Sequence, residues 1–156
     1  MPNPFAAARW YSKLSNIFLA PAFRLTPMPR GFALLTVTGR RTGKPRRRPI
    51  RAIRLGNTLY AAATLGERSD WLRNVRKQPR VRAKVGGRTY DATAREVTNA
   101  AERLAAEAAY IDEVPPFDYV DYVSLEWAFP TRRAIIEAHR RWLARGVLVG
   151  IDLEGA

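Results

Sequence analysis

The stretch Thr36-Val-Thr-Gly-Arg-Arg-Thr-Gly-Lys-Pro-Arg-Arg-Arg-Pro-Ile50 joins two predicted strands through a glycine-bounded turn filled with cations. Phe32 to Thr38 is apolar and β-branched and reads as a buried strand. Gly39 to Pro45 is the turn, and Arg48 to Leu55 reads as the second strand. Glycine permits backbone conformations that aim successive N–H groups at one point. Arginine adds a planar fork that matches phosphate oxygens. On residues alone, such a turn is either a phosphate cradle or a solvated basic hairpin loop. No Gly-Lys-Ser/Thr follows at P-loop spacing, and no Gly-x-Gly-x-x-Gly occurs, so neither nucleotide fingerprint applies.

Further along, Gly56-Asn57 is a hairpin signal leading into Thr58 to Thr64. Ala61, Ala62 and Ala63 there let a cofactor ring or a neighbouring helix approach closely. Ser69 and Asp70 open a short helix with Trp71, Leu72 and Val75 on its apolar face, and Pro79 ends it. Arg80 to Val85 alternates, with Val81, Ala83 and Val85 inward, and Gly86-Gly87 turns the chain into Arg88 to Val97. Asn99 and Glu102 have capping-box spacing and start a helix to about Ile111. After Pro115-Pro116, Phe117 to Phe129 is aromatic-rich and partly helical; Thr131 caps a helix to Arg145, and Val147 to Leu153 is the last strand. His139 is expected on the surface of that last helix. The pattern is α+β: a six-stranded, mainly antiparallel barrel with helices packed outside it.

Upstream, residues 5–25 read as an amphipathic helix with Trp10, Leu14, Ile17 and Phe18 at helical spacing beside Arg9 and Lys13. It either covers one end of the barrel or lies on an anionic membrane surface. The 156 residues suit one domain, divided into an N-terminal helix and linker (1–30), a barrel core (32–97) and the closing helices and strand (98–156).

Charge is distributed unevenly. The chain carries +13, yet residues 1–66 hold twelve basic residues and no acidic one, while the remainder holds fifteen basic against fourteen acidic. That field favours an anionic partner: a phosphorylated cofactor, nucleic acid or an anionic membrane. Nucleic-acid binding is disfavoured because no aromatic platform lies between Arg40 and Arg54. With no Cys and one His, thiolate sites and His-rich metal sites are excluded, and no metal is expected. No run approaches membrane-spanning length and no secretory signal is evident, so a cytoplasmic location is expected.

Three ordered blocks resemble the deazaflavin-dependent nitroreductase and quinone reductase family. The first is Thr38-Gly39-Arg40-Arg41-Thr42-Gly43 followed by Arg46, Pro49 and Ile50; the second is the small-residue strand Tyr60 to Thr64; the third is Trp71-Leu72-Arg73-Asn74-Val75 followed by Gln78-Pro79. The resemblance implies a split β-barrel that binds coenzyme F420, with FMN as the alternative, and passes hydride to a quinone, nitro-compound or similar acceptor. It implies that Arg41 and Arg46 contact the cofactor phosphate while Thr42 and Gly43 shape the turn. Pro49, Ala62 and Thr64 would lie along the deazaflavin ring, with Trp71 and Asn74 on the opposite side. Tyr119, Tyr122 and Arg51 would face the acceptor. No side chain is assigned as a catalytic acid or base, because the cofactor carries the chemistry. The competing reading is a split barrel that binds a lipid or another apolar ligand at the membrane surface without turnover. The chain would be a monomer or homodimer, cytoplasmic or peripheral at the inner face of the membrane through its N-terminal helix.

Overall fold

The computed structural model describes residues 17–156. Helix α1 (residues 17–25) precedes strands β1 (Phe32–Thr38), β2 (Pro45–Arg51), β3 (Ile53–Leu55) and β4 (Thr58–Ala63). Then follow α2 (Asp70–Lys77), β5 (Arg80–Val85), β6 (Arg88–Glu96), α3 (Ala100–Asp112), α4 (Phe117–Glu126), α5 (Arg132–Arg145) and β7 (Val147–Leu153). Trp10, Leu14, Arg9 and Lys13 of the expected amphipathic helix lie outside the described residues.

The strands form one antiparallel sheet of seven, in the order β2-β1-β5-β6-β7-β4-β3. The seventh strand arises because the single strand expected over Arg48 to Leu55 divides at Ala52. Its two pieces, β2 and β3, stand at opposite edges of the sheet. Laid flat, seven strands would separate those edges by about 29 Å, while one residue reaches only ~3.5 Å. The sheet therefore curls until its edges meet, which makes the fold an α+β split β-barrel. The Ala52 N–H donates to the Gly31 carbonyl at 2.9 Å and fixes that corner.

Alternation decides what each face of a strand meets. Ala33, Leu35 and Val37 of β1 point into the barrel with Ala61, Ala83, Ala92, Val149 and Ile151, where Trp71, Leu72 and Val75 of α2 join them. Phe32 and Leu34 point outward and pack with Ala20 and Phe23 of α1 and with Phe117. So β1 is buried on both faces, as its unbroken apolar run predicts, and α1 lies on the outside of the barrel wall. Lys84 donates to the carbonyls of Phe23 (2.7 Å) and Thr26 (2.8 Å), placing a cation at the negative end of α1. Asn99 accepts from the Glu102 N–H, and Thr131 from the Ala134 N–H, so both expected caps form. Ser69 occupies the cap position of α2 without a capping side-chain hydrogen bond.

Two polar clusters tie the helices to the barrel. In the first, Arg95 of β6 donates to Asp152 of β7 (2.7 Å) and to Glu102 of α3 (2.6 Å), and Tyr60 of β4 donates to Glu102 (2.7 Å). The second is buried. Arg51 at the end of β2 pairs with Asp118 of α4 at 3.0 Å, donates to the Glu113 carbonyl, and lies 4.2 Å above the Tyr110 ring. His139 completes it: Nδ1 lies 3.1 Å from the Ile111 carbonyl and Nε2 3.4 Å from Asp118. The surface position expected for His139 is thus corrected, because α5 presents it, fully buried, to Asp118, the only buried acidic side chain among the described residues.

Asp118→Ala should remove about 3–5 kcal/mol of unfolding free energy, since it strands the buried Arg51 charge; a denaturant titration shifted by less than 1 kcal/mol would contradict the assignment. The first cluster predicts a pH dependence. Hydrogen bonds from Arg95 hold Glu102 and Asp152 below the usual carboxylate range. A depressed folded-state value stabilises above the unfolded-state value and is lost as pH falls through the folded one. Arg95→Met should therefore flatten the acid limb of the stability curve below about pH 4 and lower the plateau above it, as read by urea unfolding across pH.

Candidate functional site

The turn between β1 and β2 is held from both ends. The Gly39 N–H donates to the Lys44 carbonyl at 2.8 Å, and the Gly43 N–H donates to the Gly39 carbonyl at 2.8 Å. Gly43 has φ +67°, a left-handed conformation that a side chain would strain. A Cβ at Gly39 would lie 3.1 Å from the Lys44 carbonyl oxygen. The bend therefore favours glycine at Gly43 by conformation and leaves a side chain little room at Gly39.

Arg40 fastens this bend to α2. Its backbone N–H and its Nη1 both donate to Asn74 Oδ1, at 3.1 and 3.0 Å. Its Nη2 reaches Asp70 at 3.1 Å, and Lys77 donates to its carbonyl at 3.2 Å. Asn74 is buried, so its oxygen had to find donors inside the protein. Asn74, expected beside the cofactor ring, spends its oxygen on the turn and leaves only its amide NH2 for a ligand.

A cavity of about 380 Å³ lies between the turn and α2. Val37 and the buried Trp71 give it an apolar lining; Arg40, Arg41, Thr42, Arg46, Arg47, Arg48, Asp70 and Asn74 supply the polar one. Of the expected cofactor residues, Arg41, Thr42, Arg46, Trp71 and Asn74 line it together, and Gly43 shapes its edge. Pro49, Ala62 and Thr64 do not line it. Ala62 faces away from the barrel interior, toward the cluster that includes Tyr110 and Leu143, and Thr64 is exposed beyond the end of β4. Tyr122 is buried against Ile135, Ala138 and Trp142 of α5, with Tyr119 packed beside it, and Arg51 is committed to Asp118. The lining residues to which the sequence assigned no contact with the cofactor are Arg40, Arg47, Arg48 and Asp70. The three arginines show only as members of the basic run and Asp70 only as the opening of α2, because the Arg40–Asn74 contact spans 34 residues.

The electrostatics of the cavity are lopsided. Glu67 and Glu96 are taken by Arg76, Glu102 and Asp152 by Arg95, Asp91 by Arg82, and Glu154 by Arg80. Among the acidic residues only Asp70 reaches the turn, and its ion pair goes to Arg40. Arg41, Lys44, Arg46 and Arg47 are exposed and enter no ion pair among the described residues. Burial pushes the Arg48 guanidinium below the usual arginine range, with the Asp70 charge opposing that shift. An anion entering here meets Arg41, Arg46 and Arg47, none of which is in an ion pair among the described residues.

The fold and site together are those of a split β-barrel protein with a basic cradle for an anionic ligand. The family model for F420H(2)-dependent quinone reductase matches residues 21–125, so the chain belongs to that family and is an F420-dependent reductase. Its cofactor is coenzyme F420. Among solved structures, one described as a domain-swapped dimer aligns with TM-score 0.58 at 20% identity, over 94% of this chain and 98% of that one. An F420-H2 dependent reductase aligns with TM-score 0.54 at 22% identity, over 82% of this chain and 97% of that one. A FAD-binding protein from Mesorhizobium loti aligns with TM-score 0.50 at 17% identity, over 80% of each chain. These likenesses establish the shared fold.

Asn74→Ala should cost about 1–3 kcal/mol of stability by leaving the Arg40 donors unanswered. Asn74→Asp, which keeps the accepting oxygen, should stay near wild type. Equal unfolding midpoints for Asn74→Ala and wild type would show that the fastening carries no energy.

Proposed function

We propose that the cavity between the Gly39–Lys44 bend and α2 receives the anionic end of coenzyme F420, and that the electron acceptor is a quinone or a nitro-compound. The observation that carries this reading is the set of cations, Arg41, Arg46 and Arg47, that line a cavity whose wall includes Trp71 and that enter no ion pair among the described residues. The cofactor bears a phosphodiester and several tail carboxylates, which match these donors in charge and in planar geometry. The residues present therefore fit the group.

Arg41 and Arg46 bind the phosphate, and Arg47 and Lys44 stand where tail carboxylates can reach them. Thr42 accepts from the Lys44 N–H at 3.3 Å and, with Gly43, keeps the bend open toward the cavity. Trp71 and Val37 exclude water from its apolar side. Asn74 can donate its amide NH2 while its oxygen holds Arg40. When bound, the reduced deazaflavin supplies a hydride from its own ring carbon. The protein therefore needs no side chain of its own as nucleophile or metal ligand. In this reading Tyr119, Tyr122 and Arg51 act as the frame of α4, since their side chains are committed to packing and ion pairing.

Arg41→Ala combined with Arg46→Ala should weaken F420 binding roughly ten- to a hundredfold at low salt, by loss of two partly exposed charge-assisted contacts. Fluorescence titration measures this. Both side chains are exposed, so thermal unfolding should hardly change. Undiminished affinity in the double variant would overturn the phosphate assignment.

A further inference from the structure

Helix α4 is apolar on both sides. Tyr119, Tyr122 and Leu125 pack toward Ile135, Ala138 and Trp142 of α5. On the opposite side, Val120, Val123 and Trp127 follow at spacings of three and four, which sets them on one face. Val120 is 56% exposed, Val123 45% and Trp127 80%; Phe129, in the link to α5, is 84% exposed. Surface helices of soluble proteins ordinarily turn a polar face to water, and an outer face of this kind calls for cover.

Two further local rules fail just beyond this helix. Trp127 closes α4 with φ 53°, the only non-glycine residue in the left-handed region among the described residues. A bulky aromatic residue is disfavoured there, and here it is also turned out into solvent. Immediately beyond, α5 opens with Arg132 and Arg133 and has no acidic residue in its first turn, against the preference of the helix dipole. Both arginines are exposed. Arg132 donates only to the Asp112 carbonyl, at 3.2 Å, and Arg133 enters no ion pair among the described residues. Of the neighbouring acids, Glu126 and Glu137 are held by Arg141 and Arg140, while Asp121 of α4 and Asp112 at the end of α3 form no ion pair with Arg132 or Arg133 among the described residues.

We propose that the outer face of α4 and its link to α5 form a docking surface for an anionic lipid bilayer. Trp127 and Phe129 enter the headgroup boundary, Val120 and Val123 lie along it, and Arg132 and Arg133 contact lipid phosphates. A bilayer supplies apolar cover and negative charge together, and aromatic side chains flanked by arginine suit that boundary. A second copy of the chain would bring the same two arginines and a further +13 to the contact, so charge opposes self-association there. The inference does not rest on the cofactor reading, because these residues lie outside the cradle.

Co-sedimentation of the full chain with vesicles tests it, using phosphatidylcholine alone or mixed with phosphatidylglycerol. Wild type should pellet with the mixed vesicles and remain in solution with the neutral ones. Trp127→Ser with Phe129→Ser, and separately Arg132→Gln with Arg133→Gln, should each lower the partition coefficient at least tenfold. Melting temperature and F420 affinity should stay unchanged, which separates this test from that of the cofactor site. Wild-type partitioning in the aromatic double variant would overturn the proposal and move any membrane contact elsewhere, including α1. A concentration-dependent dimer in sedimentation, lost in that variant, would overturn it in favour of a second copy.

Discussion

Arg40 donates twice to a single oxygen of Asn74, and that contact sets the direction in which the basic turn faces. Without it, Gly39 and Gly43 would leave the loop between β1 and β2 free to sample many orientations. With it, the bend is docked on α2, and α2 is itself anchored in the barrel by Trp71, Leu72 and Val75. One arginine is thereby used up in structure, with Asp70 as its counter-charge. The remaining cations of the turn keep their charge for a ligand. Binding is cheaper when such groups are arranged before the ligand arrives.

The same division of labour runs through the chain. Acidic residues begin only at Glu67, and most are matched to arginines that brace the sheet or the helices. Arg41, Arg46 and Arg47, from the strongly basic first 66 residues, are therefore left at the cavity without an ion pair among the described residues. Beyond the cradle, the buried Arg51–Asp118–His139 cluster holds α4 and α5 against the end of β2. The strand that carries Arg46 and Arg47 is thus fixed at its far end by burial and at its near end by the turn.

Much of this was legible in the sequence, for identifiable reasons. Strands β1 and β7 fall where continuous apolar runs predict them, and Asn99 and Thr131 cap the helices that follow. The cation turn stood out because two glycines and six basic residues fall between Gly39 and Arg48. What escaped reading depends on contacts distant along the chain. Arg48 to Leu55 reads as one strand because nothing local marks Ala52 as a corner; the break follows from closing the barrel. In sequence His139 reads as a surface residue and Arg51 as one facing the acceptor, since the carboxylate they share, Asp118, lies 67 residues from Arg51. Three alanines in a row conceal which one faces in; Ala61 and Ala63 do, and Ala62 takes the other face of β4.

The most direct test compares two ligands that share a ring and differ in charge: intact F420, and the same deazaflavin stripped of its phosphate and tail carboxylates. Affinities for both should be measured by fluorescence as salt is raised. The account predicts that intact F420 binds far more tightly at low salt, and that the gap narrows with ionic strength as the exposed contacts are screened. Equal affinity for the two ligands, or a gap indifferent to salt, would contradict it.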